Sequence, residues 1–369
     1  MKNLSIMIKP ASSLCNLRCK YCFYADIADI REVKSYGIMP IPSMHTMLGR
    51  IHDQLSDGDR LTFAFQGGEP TLAGLPWFEE FVDTVKGWEK KIQVSYTLQT
   101  NATLLDDGWC RFLSENHFLV GVSWDVLPQC HDETRVDPAG QGTNQLVRQA
   151  IKRLSEYNIP YNVLCTLTRQ AARHPQKIWK QLEADGIAYV QFTPCLDALE
   201  QPNKNPFALT PQRFASFYCQ LFSLWLADFR AGRYRSVRLF DDLVNLAAYG
   251  FPTSCGIDGR CQPQLVVEAD GSVFPCDFYC LEQYRLGSIL EDALETLFER
   301  SLASPTKVPA ALPAQCGSCP YRAFCNGGCK RMRREVFCTG DSACGYRLFL
   351  DSCMPQIQQI AREQRAFRR

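Results

Sequence analysis

The chain has 369 residues, with 40 basic against 39 acidic side chains and a net charge of +1, so its charge gives no reason to expect a nucleic acid or a membrane as partner. Apolar residues make up 46% of the sequence, which excludes disorder as the main state. No apolar run reaches the ~20 residues of a membrane span, and the first ten residues lack the apolar core of a secretory signal, so we expect a cytoplasmic protein.

Six apolar runs of strand length alternate with helix-period segments in the first 200 residues. This alternation predicts right-handed crossovers and a parallel α/β sheet covered by helices, as in a partial barrel or a doubly wound sheet. Residues 143–157 are one such helical segment, with apolar residues three and four apart. The predicted strands lie near residues 4–9, 61–65, 92–98, 118–124, 160–168 and 187–193.

The nineteen cysteines are the main anomaly of the composition, and eleven of them lie between Cys255 and Cys353. In a reducing compartment thiols stay reduced, and thiolates are soft metal ligands, so the count indicates metal binding. The segment after about residue 250 is also rich in Pro and Gly, and we expect it to need metal in order to fold. We place a domain boundary between 231 and 254 and predict domains at 1–231 and 232–369, the second ending in a helix.

The first chemical motif follows the first predicted strand and places three thiols within eight residues, at Cys15, Cys19 and Cys22. Tetrahedral zinc usually draws its ligands as two separated pairs, so structural zinc is the weaker alternative here. A [4Fe–4S] cluster fits better, because one short loop can reach three of its corners and leave the fourth iron open.

This loop, with the aromatic Tyr21 before its last cysteine, resembles the signature of radical S-adenosylmethionine (SAM) enzymes. The resemblance implies a partial (β/α)6 barrel with a [4Fe–4S] cluster on the three cysteines. SAM would bind the open iron through its amino and carboxylate groups, and an electron from the cluster would cleave it to a 5′-deoxyadenosyl radical. The chemistry would take place at the carboxyl ends of the strands.

Segments at the ends of the next strands extend the resemblance. The sequence Gln66-Gly67-Gly68-Glu69-Pro70 is similar to the family's GGE motif, in which an extended backbone accepts the cofactor's ammonium group. Glycines allow the main chain to approach a ligand closely, although the same sequence read alone would be an ordinary turn. The resemblance places these residues at the cofactor: Tyr21, Tyr24, Gln66, Gly67, Gly68, Glu69, Gln99, Asn101, Ser123 and Arg148.

The cysteine spacing of the C-terminal part is similar to that of the SPASM extension, which carries two auxiliary [4Fe–4S] clusters. A zinc ribbon or a set of disulfides is the alternative. The segment QLVVEA, a turn at Asp270-Gly271 and the segment SVFPC predict a hairpin that presents Cys276. The resemblance assigns Cys255, Cys261, Cys276 and Cys329 to the first cluster, and Cys316, Cys319, Cys325 and Cys344 to the second, with Cys338 and Cys353 as alternatives for the last ligand. Full ligation by protein would make both clusters electron acceptors rather than substrate sites.

Segments along nearly the whole chain, such as IKPASSLCNLRCKYCFY and FAFQGGEPTLAG, resemble the anaerobic sulfatase-maturating enzymes. This resemblance implies that a cysteine or serine side chain of a sulfatase peptide is oxidised to Cα-formylglycine after removal of a Cβ hydrogen atom. The implied partners are an unfolded or nascent sulfatase peptide of the Cys/Ser-x-Pro/Ala-x-Arg type and a flavodoxin- or ferredoxin-type reductant.

Asp277, beside Cys276, matches the base proposed for that family. An anionic cluster next to this carboxylate would disfavour its ionised form, which suits it to take up a proton. Read alone, Asp277 would be a hydrogen-bonded loop carboxylate.

Two other functions remain open. One is a SPASM radical SAM enzyme that crosslinks, epimerises or forms a thioether in a ribosomal peptide, and the other is a non-enzymatic iron–sulfur electron carrier.

The chain also departs from its family after the fourth strand, where relatives usually read Asp-Gly-Pro and this chain has Val126 in place of the glycine. Valine has poor access to positive φ, so this position bears on substrate identity.

Overall fold

The computed structural model describes residues 2–201, 203–307, 311–338 and 344–367. Its strands include all those predicted, each within two residues of the expected bounds. The strands in the described residues are β1 (Asn3–Ile8), β2 (Arg60–Phe65), β3 (Gln93–Thr100), β4 (Leu119–Ser123), β5 (Tyr161–Leu167), β6 (Tyr189–Pro194), β7 (Ser236–Val237), β8 (Leu265–Val267), β9 (Ser272–Phe274) and β10 (Gly287–Ser288).

Helices connect most of the strands, and the helix predicted at residues 143–157 is confirmed. None of the helices in the described part of the chain is long and apolar enough to cross a membrane. The α-helices are α1 (Phe23–Ile30), α2 (Ile41–Asp53), α3 (Leu75–Lys86), α4 (Asp107–Glu115), α5 (Pro128–Thr134), α6 (Asn144–Glu156), α7 (Pro175–Ala184), α8 (Pro211–Arg230), α9 (Arg238–Tyr249), α10 (Leu294–Ala303), α11 (Arg322–Cys325), α12 (Lys330–Met332) and α13 (Gly345–Phe367).

The chain forms two compact units, each built from segments that are separate in the sequence. The first unit comprises Met1–Ser123, Thr134–Tyr161 and Pro263–Val308, and the second comprises Trp124–Glu133, Asn162–Gln262 and Pro309–Arg369. The domain boundary predicted between 231 and 254 stays a prediction.

The sheet of the first unit has the strand order β10-β9-β8-β1-β2-β3-β4. Strands β1 to β4 run parallel, and β8 is parallel to β1. Ile8 pairs with both Phe65 and Val267, and Phe65 pairs with Leu98, so β1, β2 and β8 end at one level and β3 passes through it. The next residues along these strands therefore lie at the same edge of the sheet: Lys9, Gln66, Gln99 and Glu268.

Helix α3 covers β2 through a cluster of aromatic rings. Phe63 lies 4.9 Å from Phe81, and Phe65 lies 4.9 Å from Phe78, both in edge-to-face contact. All four rings are fully buried, and each contributes ~1.5–3 kcal/mol through its removal from water. This packing fixes the strand from which the GGE-like segment emerges.

In the second unit, β5, β6 and β7 pair in parallel, and α13 packs against α8. The ring of Tyr218 on α8 lies 5.4 Å from that of Phe349 on α13. A Cβ at Gly345 would lie 2.2 Å from the carbonyl oxygen of Pro211, so only glycine permits α13 to begin this close to α8.

The hairpin predicted around Asp270-Gly271 is confirmed, since β8 and β9 pair antiparallel across this turn. Gly271 has φ +86°, and the carboxylate of Asp270 accepts a hydrogen bond of 2.9 Å from the amide of Ser272. The hairpin thereby places Cys276 and Asp277 directly after β9.

The GGE-like segment pairs with the backbone of the cysteine-containing loop. The amide of Gly68 donates to the carbonyl of Ser12 (2.8 Å), and the amide of Glu69 donates to that of Leu14 (2.7 Å). A Cβ at Gly68 would lie 2.1 Å from the Leu14 oxygen, and a Cβ at Gly67, where φ is +139°, would lie 2.9 Å from the Ser12 oxygen. Glycine at both positions therefore allows the GGE-like segment and the cysteine-containing loop to approach each other closely.

We predict that Gly68→Ala separates these motifs. The added methyl group cannot be placed without moving backbone, which costs ~1–3 kcal/mol or more. The thermal midpoint and the iron content of anaerobically purified protein should both fall. Gly49→Ala is the matched control, because a Cβ at this exposed position of α2 meets nothing within 4 Å and gains up to ~1 kcal/mol of helix propensity. Equal iron content in the two variants would contradict the assigned role of Gly68.

Candidate functional site

The cysteine-containing loop is held by backbone hydrogen bonds to a neighbouring segment of the first unit. The amide of Arg18 donates to the carbonyl of Val136 (2.7 Å), and that of Lys20 donates to Thr134 (2.9 Å). Both donors, Arg18 and Lys20, lie between Cys15 and Cys22, so these two bonds fix the path of the loop between its thiols.

The thiols of Cys15 and Cys22 in this loop accept hydrogen bonds from amides. The sulfur of Cys15 accepts from the amide of Leu17 (3.4 Å), and that of Cys22 accepts from Ala25 (3.4 Å) and so caps the first turn of α1. Burial raises the pKa of Cys15 to about 11. A thiol of this kind binds metal as the thiolate, so cluster assembly must remove its proton.

Glu69 connects this loop to the end of β3. Its buried carboxylate accepts hydrogen bonds from the hydroxyls of Thr71 (2.6 Å) and Thr100 (2.7 Å) and from the amide of Asn101 (2.7 Å). Burial raises the pKa of Glu69 despite these donors. The side-chain amide of Asn101 in turn reaches the sulfur of Cys15 at 3.9 Å. Glu69 therefore positions Asn101 beside the first cysteine.

The remaining residues predicted at the cofactor lie in different surroundings. Gln99 donates from Nε2 to the hydroxyl of Ser123 (3.0 Å), so the structure brings these two together. The ring of Tyr21 is buried, and the guanidinium of Arg135 lies 5.4 Å from its centre. Arg148 lies on the exposed face of α6. The assignment of these residues to the cofactor stays a prediction.

Asp277 is held by an ion pair and a hydrogen bond from two strand ends. The ammonium group of Lys9 forms an ion pair with Oδ1 at 2.5 Å, and Nε2 of Gln66 donates to Oδ2 (2.8 Å). Lys9 follows β1 and Gln66 follows β2, so both partners come from the aligned edge of the sheet. With a side chain only 13% exposed, the carboxylate has one fixed orientation.

Lys9 belongs to a buried cluster of charges that the sequence did not reveal. Its side chain is fully buried, and its ammonium group lies 3.3 Å above the centre of the Tyr24 ring. Burial alone would lower the pKa of Lys9, but the negative charge of Asp277 first, and of Glu268 among others, raises it above its ordinary value. Glu268 also accepts hydrogen bonds from the hydroxyl of Tyr24 and from Arg31 (2.8 Å). Tyr24 thus contacts both ion pairs, that of Lys9 with Asp277 and that of Arg31 with Glu268.

In the second unit, Asp242 positions the segment that carries Cys255. The buried Asp242 on α9 accepts hydrogen bonds from the amides of Thr253 (2.7 Å) and Ser254 (3.0 Å). A Cβ on the neighbouring Gly256 would lie 2.9 Å from Cβ of Cys329. Cys255 and Cys329 line one cavity of about 110 Å³.

A buried guanidinium shapes the loop between Cys325 and Cys329. Nε of Arg333 donates to the carbonyl of Gly327 (2.9 Å), and Nη2 donates to that of Gly328 (3.1 Å). Both glycines have positive φ, and a Cβ at Gly328 would lie 2.7 Å from the Phe337 ring. Arg333 thereby holds the turn at Gly327 and Gly328, and so orients the cysteines on either side of it, Cys325 and Cys329.

A second cavity of about 190 Å³ in this unit is lined by five thiols. The lining thiols are those of Cys316, Cys319, Cys325, Cys338 and Cys344. Cys353, which was an alternative for the last ligand, is fully buried in α13 and does not line this cavity.

Cys338 and Cys344 form a hydrogen-bonded pair at the wall of this cavity. Hydrogen bonding between the two thiols lowers the pKa of Cys344 to about 6 and raises that of Cys338. Amides of Tyr346 and Arg347, at the start of α13, donate to the same sulfur of Cys344. The start of α13 therefore favours negative charge on the sulfur of Cys344.

The grouping of these thiols around cavities fits iron–sulfur clusters. None of the nineteen cysteines forms a disulfide. In the described residues, no three Cys, His, Asp or Glu side chains converge on a point where one metal ion could bind. Thiols that instead surround a volume suit a [4Fe–4S] cube, in which each sulfur ligand binds a different iron.

One predicted consequence was wrong, because Val126 does adopt positive φ. Its φ is +62°, and its side chain is fully buried. Within the second unit, the side chain of the neighbouring Asp125 accepts a hydrogen bond from the amide of Thr166 (2.9 Å), and its own amide donates to His131 (3.3 Å). These contacts hold a backbone conformation that a β-branched residue rarely takes.

Comparisons with known proteins match two family models to this chain. The radical SAM superfamily model matches residues 10–170, and the SPASM model, an iron–sulfur cluster-binding domain, matches residues 255–320. The chain is 40% identical over 344 residues to the cysteine-type anaerobic sulfatase-maturating enzyme of Clostridium novyi, covering 92% of this chain and 91% of that relative. It is 26% identical to the serine-type anaerobic sulfatase-maturating enzyme of Bacteroides thetaiotaomicron, covering 94% and 87%.

A solved structure, "Native anSMEcpe with bound AdoMet and Kp18Cys peptide", matches with a TM-score of 0.89 at 38% identity, covering 98% of this chain and 99% of that one. These matches confirm the predicted fold class, which is an α/β radical SAM domain with a SPASM-type domain. They also confirm the predicted cofactors, SAM and [4Fe–4S] clusters. The chain therefore belongs to the radical SAM superfamily and, within it, to the family of anaerobic sulfatase-maturating enzymes.

Proposed function

We propose that this protein oxidises the cysteine of a sulfatase peptide to Cα-formylglycine, with Asp277 as the base. The observation that carries the proposal is the fixed carboxylate of Asp277, which Lys9 and Gln66 hold at the edge of the sheet where the GGE-like segment begins. The greater identity to a cysteine-type than to a serine-type relative favours a thiol substrate.

The thiols of this chain supply the ligands. We assign the SAM-binding cluster to Cys15, Cys19 and Cys22. We assign one auxiliary cluster to the four thiols of Cys316, Cys319, Cys325 and Cys344, which line one cavity in the second unit. The other auxiliary cluster keeps the predicted set of Cys255, Cys261, Cys276 and Cys329. When bound, these groups supply the 5′-deoxyadenosyl radical that removes a Cβ hydrogen atom and the acceptor for one electron.

Asp277 accepts the proton that leaves the substrate thiol. Loss of a hydrogen atom from Cβ, a proton from sulfur and one electron converts the thiol to a thioaldehyde, which water hydrolyses to the aldehyde with release of hydrogen sulfide. A positioned base contributes ~10²–10⁴-fold to such a step. Lys9 and Gln66 act through Asp277 as positioning residues, because each occupies one carboxylate oxygen and leaves the other lone pairs free for substrate.

The implied partners are of two kinds. An unfolded or nascent sulfatase peptide with a Cys-x-Pro-x-Arg type sequence is the substrate, in keeping with the Kp18Cys peptide of the matched structure. A flavodoxin- or ferredoxin-type protein delivers the electrons.

Asp277→Asn should impair formylglycine formation without impairing the reductive cleavage of SAM. The amide cannot take up the thiol proton, so formylglycine formation should fall by ~10²–10⁴-fold while reductive cleavage of SAM continues. Anaerobic incubation with peptide, followed by mass spectrometry of peptide and 5′-deoxyadenosine, measures both products. Undiminished formylglycine would remove Asp277 from the role of base.

Lys9→Met should misplace the base without removing it. The ratio of 5′-deoxyadenosine to formylglycine should rise about tenfold or more, because a displaced base leaves radical formation intact. The variant also leaves a carboxylate without its partner, which costs ~3–5 kcal/mol in a buried pair. The double variant Lys9→Met/Asp277→Asn removes that charge and should recover thermal stability but no activity. A Lys9→Met variant with an unchanged product ratio would contradict the positioning role.

Peptides that differ only in the target residue test the substrate class. A Cys-x-Pro-x-Arg peptide should yield formylglycine at least tenfold faster than the matched Ser-x-Pro-x-Arg peptide, because a thiol loses its proton far more readily than a hydroxyl does. Deuterium at the target Cβ should appear in 5′-deoxyadenosine. Faster conversion of the serine peptide would reverse the assignment, and a crosslink, thioether or epimer as product would indicate ribosomal-peptide chemistry instead.

A further inference from the structure

A pair of aromatic rings connects the cysteine-containing loop to the turn that carries Asp277. The ring centres of Phe23 and Phe278 lie 5.0 Å apart in edge-to-face contact, with an angle of 61° between the ring planes. Phe23 follows Cys22 and Phe278 follows Asp277, and both side chains are half-buried. The contact thus joins two segments of the first unit that are far apart in the sequence and are both assigned to the proposed reaction.

Phe23 is fixed relative to the loop by the start of α1. It is the first residue of this helix, and Cys22 is the N-cap. The sulfur of Cys22 accepts a hydrogen bond from the amide of Ala25 (3.4 Å), and its carbonyl accepts one from the amide of Asp26 (3.2 Å). A capped first turn restricts the backbone, so a shift of the Phe23 ring would shift Cys22 with it.

Phe278 is fixed relative to the carboxylate by a short turn. It lies in the middle of the 3₁₀ turn Asp277–Tyr279, which the amide of Tyr279 closes by donating to the carbonyl of Cys276 (3.0 Å). Helix α1 packs against this turn. The partners of the carboxylate itself come from the sheet, whereas the ring contact relates the carboxylate to the cysteine-containing loop.

Such a constraint matters because the proposed reaction acts on two neighbouring atoms of the substrate. The Cβ loses a hydrogen atom to the radical formed at the cysteine-containing loop, and the sulfur bonded to that carbon loses a proton to Asp277. A base must lie about 2.6–3.2 Å from the atom that releases the proton. A misplacement of ~1 Å can lower the rate about 100-fold. The loop and the base therefore have to keep one relative position.

We propose that Phe23 and Phe278 are positioning residues that set the distance between the cysteine-containing loop and Asp277. The inference rests on the proposed function, because it takes Asp277 as the base. Two rings in edge-to-face contact favour a narrow range of separations and angles, which an aliphatic side chain would not impose. Loss of either ring should therefore displace the base while the thiols and the carboxylate stay present.

Phe278→Leu and Phe278→Tyr test this role as a pair. Leucine keeps an apolar side chain but removes the ring, whereas tyrosine keeps the ring. Tyr284→Leu is the matched control, because it breaks a ring pair of similar geometry with Tyr279 of the same turn (5.3 Å, 70°) and leaves the contact with Phe23 in place. Anaerobically purified full-length protein is incubated with SAM, dithionite and a Cys-x-Pro-x-Arg peptide, and mass spectrometry measures 5′-deoxyadenosine and formylglycine. Iron content and thermal midpoint are measured on the same preparations.

Phe278→Leu should raise the ratio of 5′-deoxyadenosine to formylglycine by ~10- to 100-fold at unchanged iron content, while Phe278→Tyr and Tyr284→Leu should leave it within about twofold. An unchanged ratio in Phe278→Leu would overturn the proposal, and so would an equal rise in either of the other two variants. Loss of iron in Phe278→Leu would also overturn it, because the ring would then serve to retain the cluster.

A double-variant cycle determines whether the rings act as a pair. Phe23→Leu should raise the product ratio as Phe278→Leu does, and Phe23→Leu/Phe278→Leu should be no worse than either single variant, because one contact can be lost only once. The thermal midpoints should show the same lack of additivity. Independent effects of the two substitutions would overturn the proposal. Absence of formylglycine with the unaltered protein would overturn the proposed function and this inference with it, whereas a normal product ratio in Phe278→Leu overturns this inference alone.

Discussion

The shared end of three parallel strands is the constraint on which the site in the first unit depends. Because Ile8 pairs with both Phe65 and Val267, the chain leaves β1, β2 and β8 at one level. Lys9 and Gln66 then reach the same carboxylate, although 56 residues separate them from each other and more than 200 separate them from Asp277. A slip of one residue in any of these strands would turn the corresponding side chain to the opposite face of the sheet. The strand register therefore determines which side chains meet at this site.

The buried charges at this edge argue for function rather than stability. Lys9 and Arg31 face Glu268 and Asp277, so two cations balance two anions within a region shielded from water. Replacement of buried ion pairs by apolar residues is often neutral or stabilising, because desolvation offsets their attraction. Their presence beside a fixed carboxylate indicates that orientation of that carboxylate is what they provide. Tyr24, whose ring lies against Lys9 and whose hydroxyl donates to Glu268, connects the two pairs.

Features encoded by local sequence could be predicted, and those that depend on distant side chains could not. The strands followed from hydrophobic periodicity, and the turn at Asp270-Gly271 followed from residues that tolerate positive φ. The loop that carries Cys15, Cys19 and Cys22 was evident from the spacing of three thiols. Lys9 gave no such signal, because a single lysine after a strand usually faces solvent, and only the register of strands distant in sequence shows its partner. Val126 is an exception to the local preference of valine for negative φ, because contacts of its neighbour Asp125 outweigh that preference.

The cysteines of the second unit show where spacing stops being informative. A pattern can count thiols and measure the residues between them, but it cannot state which of them share a cavity. Cys338 follows the segment Arg333–Phe337 and Cys344 lies just before α13, yet both line one cavity with three other thiols. Cys353 is part of α13 itself and lies outside that cavity. The number of thiols is a property of the sequence, whereas their grouping is a property of the fold.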